Sequence, residues 1–212
     1  MASTEQSFLN RVFAAKSQEE SRQLYDQWAE SYNADMNKYS FTAHVFVAEA
    51  VAKYLSTVHP SDAQIVDAGC GSGLVGLHLK KLGFQVIDGL DLSKGMLKVA
   101  DKTRAYHNLQ LADLTKKLDV MDNTYDALTC SGTFTHGHLG PEPLLEFVRV
   151  IKSGGIVAAT VLESFWAEMN FEKVVNELVE NDLVEVLEKD VHNYRKIEDE
   201  ASGGIVLILK KL

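Results

Sequence analysis

The sequence predicts an α/β protein: a mostly parallel seven-stranded sheet with helices on both faces, an antiparallel C-terminal strand pair, and helices ahead of the sheet. Three observations carry that expectation. Short apolar segments alternate with helical ones from Ile65 to Val161, the pattern of parallel strands joined by helical crossovers. The first of these segments runs into a glycine-rich turn, Asp67-Ala-Gly-Cys-Gly-Ser-Gly73, where open sheets of this kind bind ligands. The last two apolar segments, Leu183–Val191 and Ile205–Lys210, flank a short polar, glycine-bearing connection that suits a hairpin.

Each element has a local reason. The first sixty residues read as helix: Leu24, Trp28, Tyr32 and Met36 recur every fourth residue as one stripe, and a second stretch runs from about Thr42 to Leu55. Residues 1–60 are therefore expected to form a helical lid or extension, and residues 61–212 the sheet domain. Ile65–Asp67 is the first strand, followed by a helix from about Gly73 to Leu82 that Gly83 stops. Val86–Asp91 is the second strand, and Ser93 caps a helix reaching about Ala105. Asn108–Leu111 and Tyr125–Cys130 follow as strands. Pro143–Lys152 is helical, and Gly154-Gly155 turns the chain into the strand Ile156–Val161. One helix, about Phe165 to Val179, precedes the terminal strand pair.

Composition narrows the partners. Of 212 residues, 46% are apolar and 24% charged, ordinary for a domain that buries its core without metals or disulfides. Cys70 and Cys130 are too few for a disulfide framework and lack metal-site spacing, which fits reduced thiols and a cytoplasmic setting. Asp plus Glu number 30 and Lys plus Arg 21, a formal charge of −9 with no basic run, so no nucleic-acid partner is expected. No apolar run approaches membrane-spanning length, so no membrane partner is expected either. A monomer or homodimer is expected, the apolar last strand offering an edge for pairing.

Two ligands compete for the glycine turn. Gly71-Ser72-Gly73-Leu74-Val75-Gly76 matches the dinucleotide pattern, with Asp91 about twenty residues on. Asp67 argues the other way, because a carboxylate at the strand end repels a pyrophosphate and attracts an ammonium or a sulfonium. Asp91, ending the second strand, is placed to accept hydrogen bonds from ribose hydroxyls. The bland alternatives are a ligand-free tight turn and, for Asp91, a carboxylate facing the dipole of the next helix. The ligand implied is positively charged at one end and carries a ribose, and S-adenosylmethionine meets both requirements.

The segment 67–73, then Gly89-Leu-Asp-Leu-Ser93 with Gly95-Met96-Leu97, then Ala112-Asp113-Leu114, resemble the successive motifs of class I methyltransferases, a Rossmann-like family. The resemblance runs from roughly Tyr25 to the C-terminus. Tyr25-Asp-Gln-Trp28-Ala-Glu-Ser-Tyr32 and Thr133-Phe-Thr-His136-Gly-His138 are similar to the Williams-Beuren-region methyltransferase-like group, and ubiquinone/menaquinone methyltransferases have a segment similar to the first. The resemblance implies that Asp67 and the Gly69 and Gly71 backbone hold the methionine moiety and Asp91 the ribose. It places Leu92 and Met96 near the adenine, Asp113 on the adenine amino group beside the Leu114 backbone, and Cys130 and Ser131 beneath the transferable methyl. A solvated loop carboxylate is the other reading of Asp113.

Tyr25, Trp28 and Tyr32 read either as the core of an amphipathic helix or as a lid whose aromatic faces stabilise a sulfonium and exclude water. His136 suits a general base, or else a histidine bonded to its loop; for His138 the structural role is favoured. Two histidines at i, i+2 with no further Cys or His nearby make a poor metal site, so no metal is expected. Three functions remain: methyl transfer to a small-molecule O, N or C nucleophile, NAD(P)-dependent oxidoreduction, and cofactor binding without turnover.

Overall fold

The sheet grows outward from β1 (Gln64–Ala68), where every residue after Gln64 is buried, as a central parallel strand requires. The computed structural model describes residues 7–197 and 200–212. Strands β2 (Val86–Asp91), β3 (Asn108–Leu111), β4 (Tyr125–Phe134), β5 (Ile151–Leu162), β6 (Val184–Ile197) and β7 (Glu200–Lys211) complete a seven-stranded sheet of order β3-β2-β1-β4-β5-β7-β6. The pairings from β3 through β5 are parallel, while β7 runs antiparallel to both β5 and β6. The order reverses between β1 and β4, so a crevice opens beyond their carboxyl ends.

Alternation along the strands builds two cores. Ile156, Ala158, Val206 and Ile208 face α4 (Ala43–Tyr54) and α5 (Leu74–Lys81), while Val157, Ala159, Leu207 and Leu209 face α7 (Pro143–Val150), α8 (Glu163–Glu168) and α9 (Phe171–Glu180). A third, smaller cluster holds α1 (Phe8–Phe13), α2 (Gln18–Trp28) and α3 (Tyr32–Lys38) together through Leu9, Val12, Leu24, Trp28 and Met36. Helix α4 therefore packs against the sheet, whereas α1–α3 share the smaller cluster.

Several boundaries differ from the sequence reading, each for a local reason. The stripe Leu24–Met36 is two helices: α2 ends at Trp28 and a turn closed by Ser31 N–H on the Trp28 carbonyl re-aims α3. The helix expected from Phe165 to Val179 breaks at Asn170, which sits at φ 55°, a left-handed conformation that asparagine tolerates. Residues around Gly154-Gly155 stay within β5 as a bulge, the register jumping from Tyr125–Ile151 to Ala127–Ile156. The connection expected between the last strands is itself ribbon, paired out to Ile197 and Glu200. The last strand is interior, flanked by β5 and β6, so it has no edge to offer a second copy. Residues 39–42 lie against the far end of β6, where Thr42 N–H reaches the Tyr194 carbonyl at 2.7 Å and Lys196 N–H reaches the Tyr39 carbonyl at 2.6 Å.

Candidate active site

The glycine turn leaves β1 in a conformation only glycine holds comfortably: Gly69 has φ 76°, and a Cβ there would collide with Thr133 Oγ1 on β4. That close approach brings the β1 and β4 tips together as one floor. Helix α6 (Lys94–Lys102) starts at the rim, Ser93 capping it through the Met96 N–H at 3.0 Å. Above the floor is a cavity of about 750 Å³, counting the part open to solvent.

The structure brings together Tyr25, Tyr32, Gly69, Gly71, Asp91, Leu92, Met96, Leu114 and Ser131 around this cavity. Asp91 is its carboxylate. Gly71 N–H donates to one Asp91 oxygen and Ser93 N–H to the other, both at 2.8 Å. Burial pushes its pKa up to about 6, against the pull of the Ser93, Gly71 and Leu92 N–H groups, so it is mostly ionised at neutral pH. Ser131 Oγ is buried with no hydrogen-bond partner among the described residues, a polar group aimed at whatever fills the space.

Four of the expected residues stand elsewhere. Asp67 is fully buried beneath the floor, accepting hydrogen bonds from Tyr106 Oη at 2.7 Å and Thr129 Oγ1 at 2.9 Å. Burial pushes its pKa up to about 7, and of these two carboxylates it is Asp91 that lines the cavity. Cys130 points into the core, strand alternation giving the cavity Ser131 instead, and burial pushes its thiol up to about 12. Trp28 is core: it is 1% exposed and its Nε1 donates to Asp35 at 2.8 Å. Asp113 sits on the rim. Despite partial burial, hydrogen bonds from Thr115, Gln18 and Lys116 hold its carboxyl well below the usual range.

The histidines exchange places. His136 lies outside the cavity, with Nε2 3.3 Å from Ser164 Oγ and its ring edge-on to Phe165 at 5.1 Å. His138 lines the cavity. Its Nδ1 donates to the His136 carbonyl at 2.9 Å, which leaves Nε2 to accept the Tyr25 hydroxyl at 2.8 Å. Burial lowers its pKa to about 4, so it is neutral at physiological pH.

Sequence reasoning missed how the cover is fastened. Helices α2 and α3 are tied to the loop after each of the first three strands. Ser72 Oγ donates to Asn33 Oδ1 at 2.6 Å. Asp26 Oδ1 accepts from Ser93 Oγ at 2.6 Å and Gly95 N–H at 2.8 Å. Gln18 Nε2 donates to Asp113 Oδ1 at 2.7 Å. A second omission lies on β6, where Glu188, Asp190 and His192 bring ligand-type atoms within 4.8 Å at strand spacing. There Glu188 is already engaged by Tyr54 Oη at 3.0 Å and Lys53 Nζ at 3.4 Å.

Residues 66–159 match a family model described as a methyltransferase domain. Methyltransferase-like protein 27 of Homo sapiens is 32% identical over 138 residues, 65% of this chain and 56% of its own length. The chain spans about half the length of the curated relatives it matches. Among solved structures, the (4+2)-cyclase SpnF superimposes with a TM-score of 0.70 at 15% identity, over 93% of this chain and 97% of its own. A methyltransferase in complex with the Haloferax volcanii Trm112 activator gives 0.65 at 18%, over 88% and 96%. At such identities the structures support the fold alone. Residues 66–159, which hold the glycine turn and Asp91, thus match a methyltransferase domain, and over that stretch the chain is similar to methyltransferases.

Proposed function

We propose that this chain transfers a methyl group from S-adenosylmethionine to an oxygen, nitrogen or carbon nucleophile of a small molecule. The observation that carries the reading is the covered cavity in which the glycine turn, Asp91 and the faces of Tyr25 and Tyr32 converge. Asp91 suits the ribose diol, Leu92, Met96 and Leu114 an adenine, and the Gly69 backbone with Ser131 Oγ the methionine end. Tyr25 and Tyr32 present ring faces and hydroxyls where a sulfonium would lie.

When bound, the cofactor supplies an electrophilic methyl carbon: the acceptor's lone pair forms the new bond, and the breaking C–S bond returns its electron pair to sulfur. The chain's contribution is placement and exclusion of water. Helices α1–α3 close the crevice, and the fixed Tyr25–His138 pair orients its wall. With its pKa near 4, His138 is a weak base, so an acceptor that arrives deprotonated suits this site better than one needing a strong protein base.

A small acceptor fits the net charge of −9, which disfavours a polyanionic partner. A cytoplasmic setting fits two buried free thiols. No helix among the described residues is long and apolar enough to cross a membrane. Titration calorimetry with S-adenosylmethionine, S-adenosylhomocysteine and NADH tests the reading. Heat with the first two and none with NADH is expected, and the reverse would sink it.

A further inference from the structure

A second cavity, about 550 Å³ counting the part open to solvent, lies against the first, and Tyr25, Tyr32 and Gly132 line both. At Gly132 the partition is backbone alone. Its φ of 71° strains any other residue, and a Cβ there would stand a tight 3.3 Å from the Phe41 ring. Four aromatic rings from distant parts of the chain line it as well, Phe13 on α1, Trp28 on α2, Phe41 before α4 and Tyr194 on β6, with Leu9, Met36 and Leu162 between them. Phe41 and Tyr194 meet edge to face at 6.0 Å. Such a slot favours a flat ring over a branched chain.

Two polar groups reach this apolar space without an evident structural task. Thr135 lines it, and Thr135 Oγ1 is buried with no hydrogen-bond partner among the described residues. Arg195 enters from β6 with its guanidinium 5.4 Å from the Phe13 ring centroid. Its polar contact there is Nε donating to Ser202 Oγ at 3.4 Å, and no carboxylate among the described residues pairs with it. A guanidinium half withdrawn from water keeps its charge, and an anion that engages its planar fork offsets the lost hydration.

Resting on the reading above, in which S-adenosylmethionine occupies the first cavity, we propose that the second cavity is the acceptor pocket. It takes a flat aromatic molecule carrying a carboxylate: the ring lies among Phe13, Phe41 and Tyr194, the carboxylate on Arg195, and a second polar substituent on the Thr135 hydroxyl. Gly132, on the shared wall, is where such a ring comes nearest to the donor.

The test uses the full chain saturated with S-adenosylhomocysteine and titrated with indole-3-carboxylate and its neutral analogue indole-3-carboxamide. Wild type is expected to bind the carboxylate at least tenfold more tightly than the amide. Arg195→Gln is expected to abolish that preference, Arg195→Lys to restore part of it, and Phe41→Ala to weaken both probes alike. Thermal unfolding of each variant checks that it is folded; the wild-type comparison of the two probes needs no variant. Equal affinity for the two probes in wild type, no binding of either, or a preference that survives Arg195→Gln would overturn the proposal. So would a tenfold loss of S-adenosylhomocysteine affinity in Arg195→Gln, which would give the arginine to the cofactor. Wild type that fails to bind S-adenosylhomocysteine sinks the methyltransfer reading itself, whereas product binding without anion preference sinks only the acceptor class.

Discussion

Tyr25 donates its phenolic hydrogen to Nε2 of His138 at 2.8 Å, joining two residues 113 positions apart. One belongs to the helical cover and the other to the loop after β4, so the bond closes the cavity wall across the whole domain. It also fixes the imidazole tautomer, since Nδ1 is committed to the His136 carbonyl.

Tyr25→Phe keeps the ring and removes the donor, leaving a buried imidazole nitrogen unsatisfied. A loss of about 1–3 kcal/mol in unfolding free energy is expected, measured by urea denaturation. S-adenosylhomocysteine affinity should fall less than in Tyr25→Ala, which also removes the aromatic face.

His138 makes stability depend on pH in a defined direction. Its folded pKa of about 4 lies below the unfolded value of roughly 6.5. The native state therefore binds fewer protons in that window, and its stability falls as pH drops from about 6.5 towards 4. Relative to His138→Gln, wild type should lose up to ~3 kcal/mol across the window, read from denaturation curves at pH 7 and pH 4.5. Parallel pH profiles for the two proteins would contradict a buried neutral imidazole.

Asp91→Ala removes the cavity's carboxylate and two acceptors for backbone N–H groups. Cofactor affinity by calorimetry should drop at least tenfold, or about 1.4 kcal/mol. Asp67→Asn lies beneath the floor and should reduce affinity less than Asp91→Ala does.

The three ties of the cover are expected to slow the release of a bound cofactor. Asp26→Ala breaks the ties to Ser93 and Gly95, and Gln18→Ala breaks the tie to Asp113. Each lost bond is worth about 1 kcal/mol, so stopped-flow release of S-adenosylhomocysteine should quicken several-fold in either variant and further in the double.

His136 stands outside the cavity, so His136→Gln should leave kcat within twofold of wild type in a methyl-transfer assay. A tenfold loss would mean that the loop after β4 rearranges to bring the imidazole inward.

The sheet was legible because its signals are local. Alternation of strand and helix, the glycine turn and the Ser93 cap each follow from a few adjacent residues, and strand count, parallel core and antiparallel pair follow from those. What stayed hidden depends on pairings between distant segments. That Asp67 lies beneath the floor and Asp91 at the cavity turns on Tyr106, just before β3, and Thr129, on β4, claiming Asp67. Which histidine lines the site turns on Tyr25, and the fork of Arg195 meets Phe13 only once the N-terminal helices are folded over the ribbon. No spacing within one segment encodes such encounters.

The backbone bonds that carry residues 39–42 onto β6 also shape how a shortened protein would behave. An outermost strand with bare amide and carbonyl groups is a template on which other chains can add. These four residues act as a guard rail there. Trimming through them would leave an adhesive margin, and light scattering would register clumping before any defect in methyl transfer could be judged.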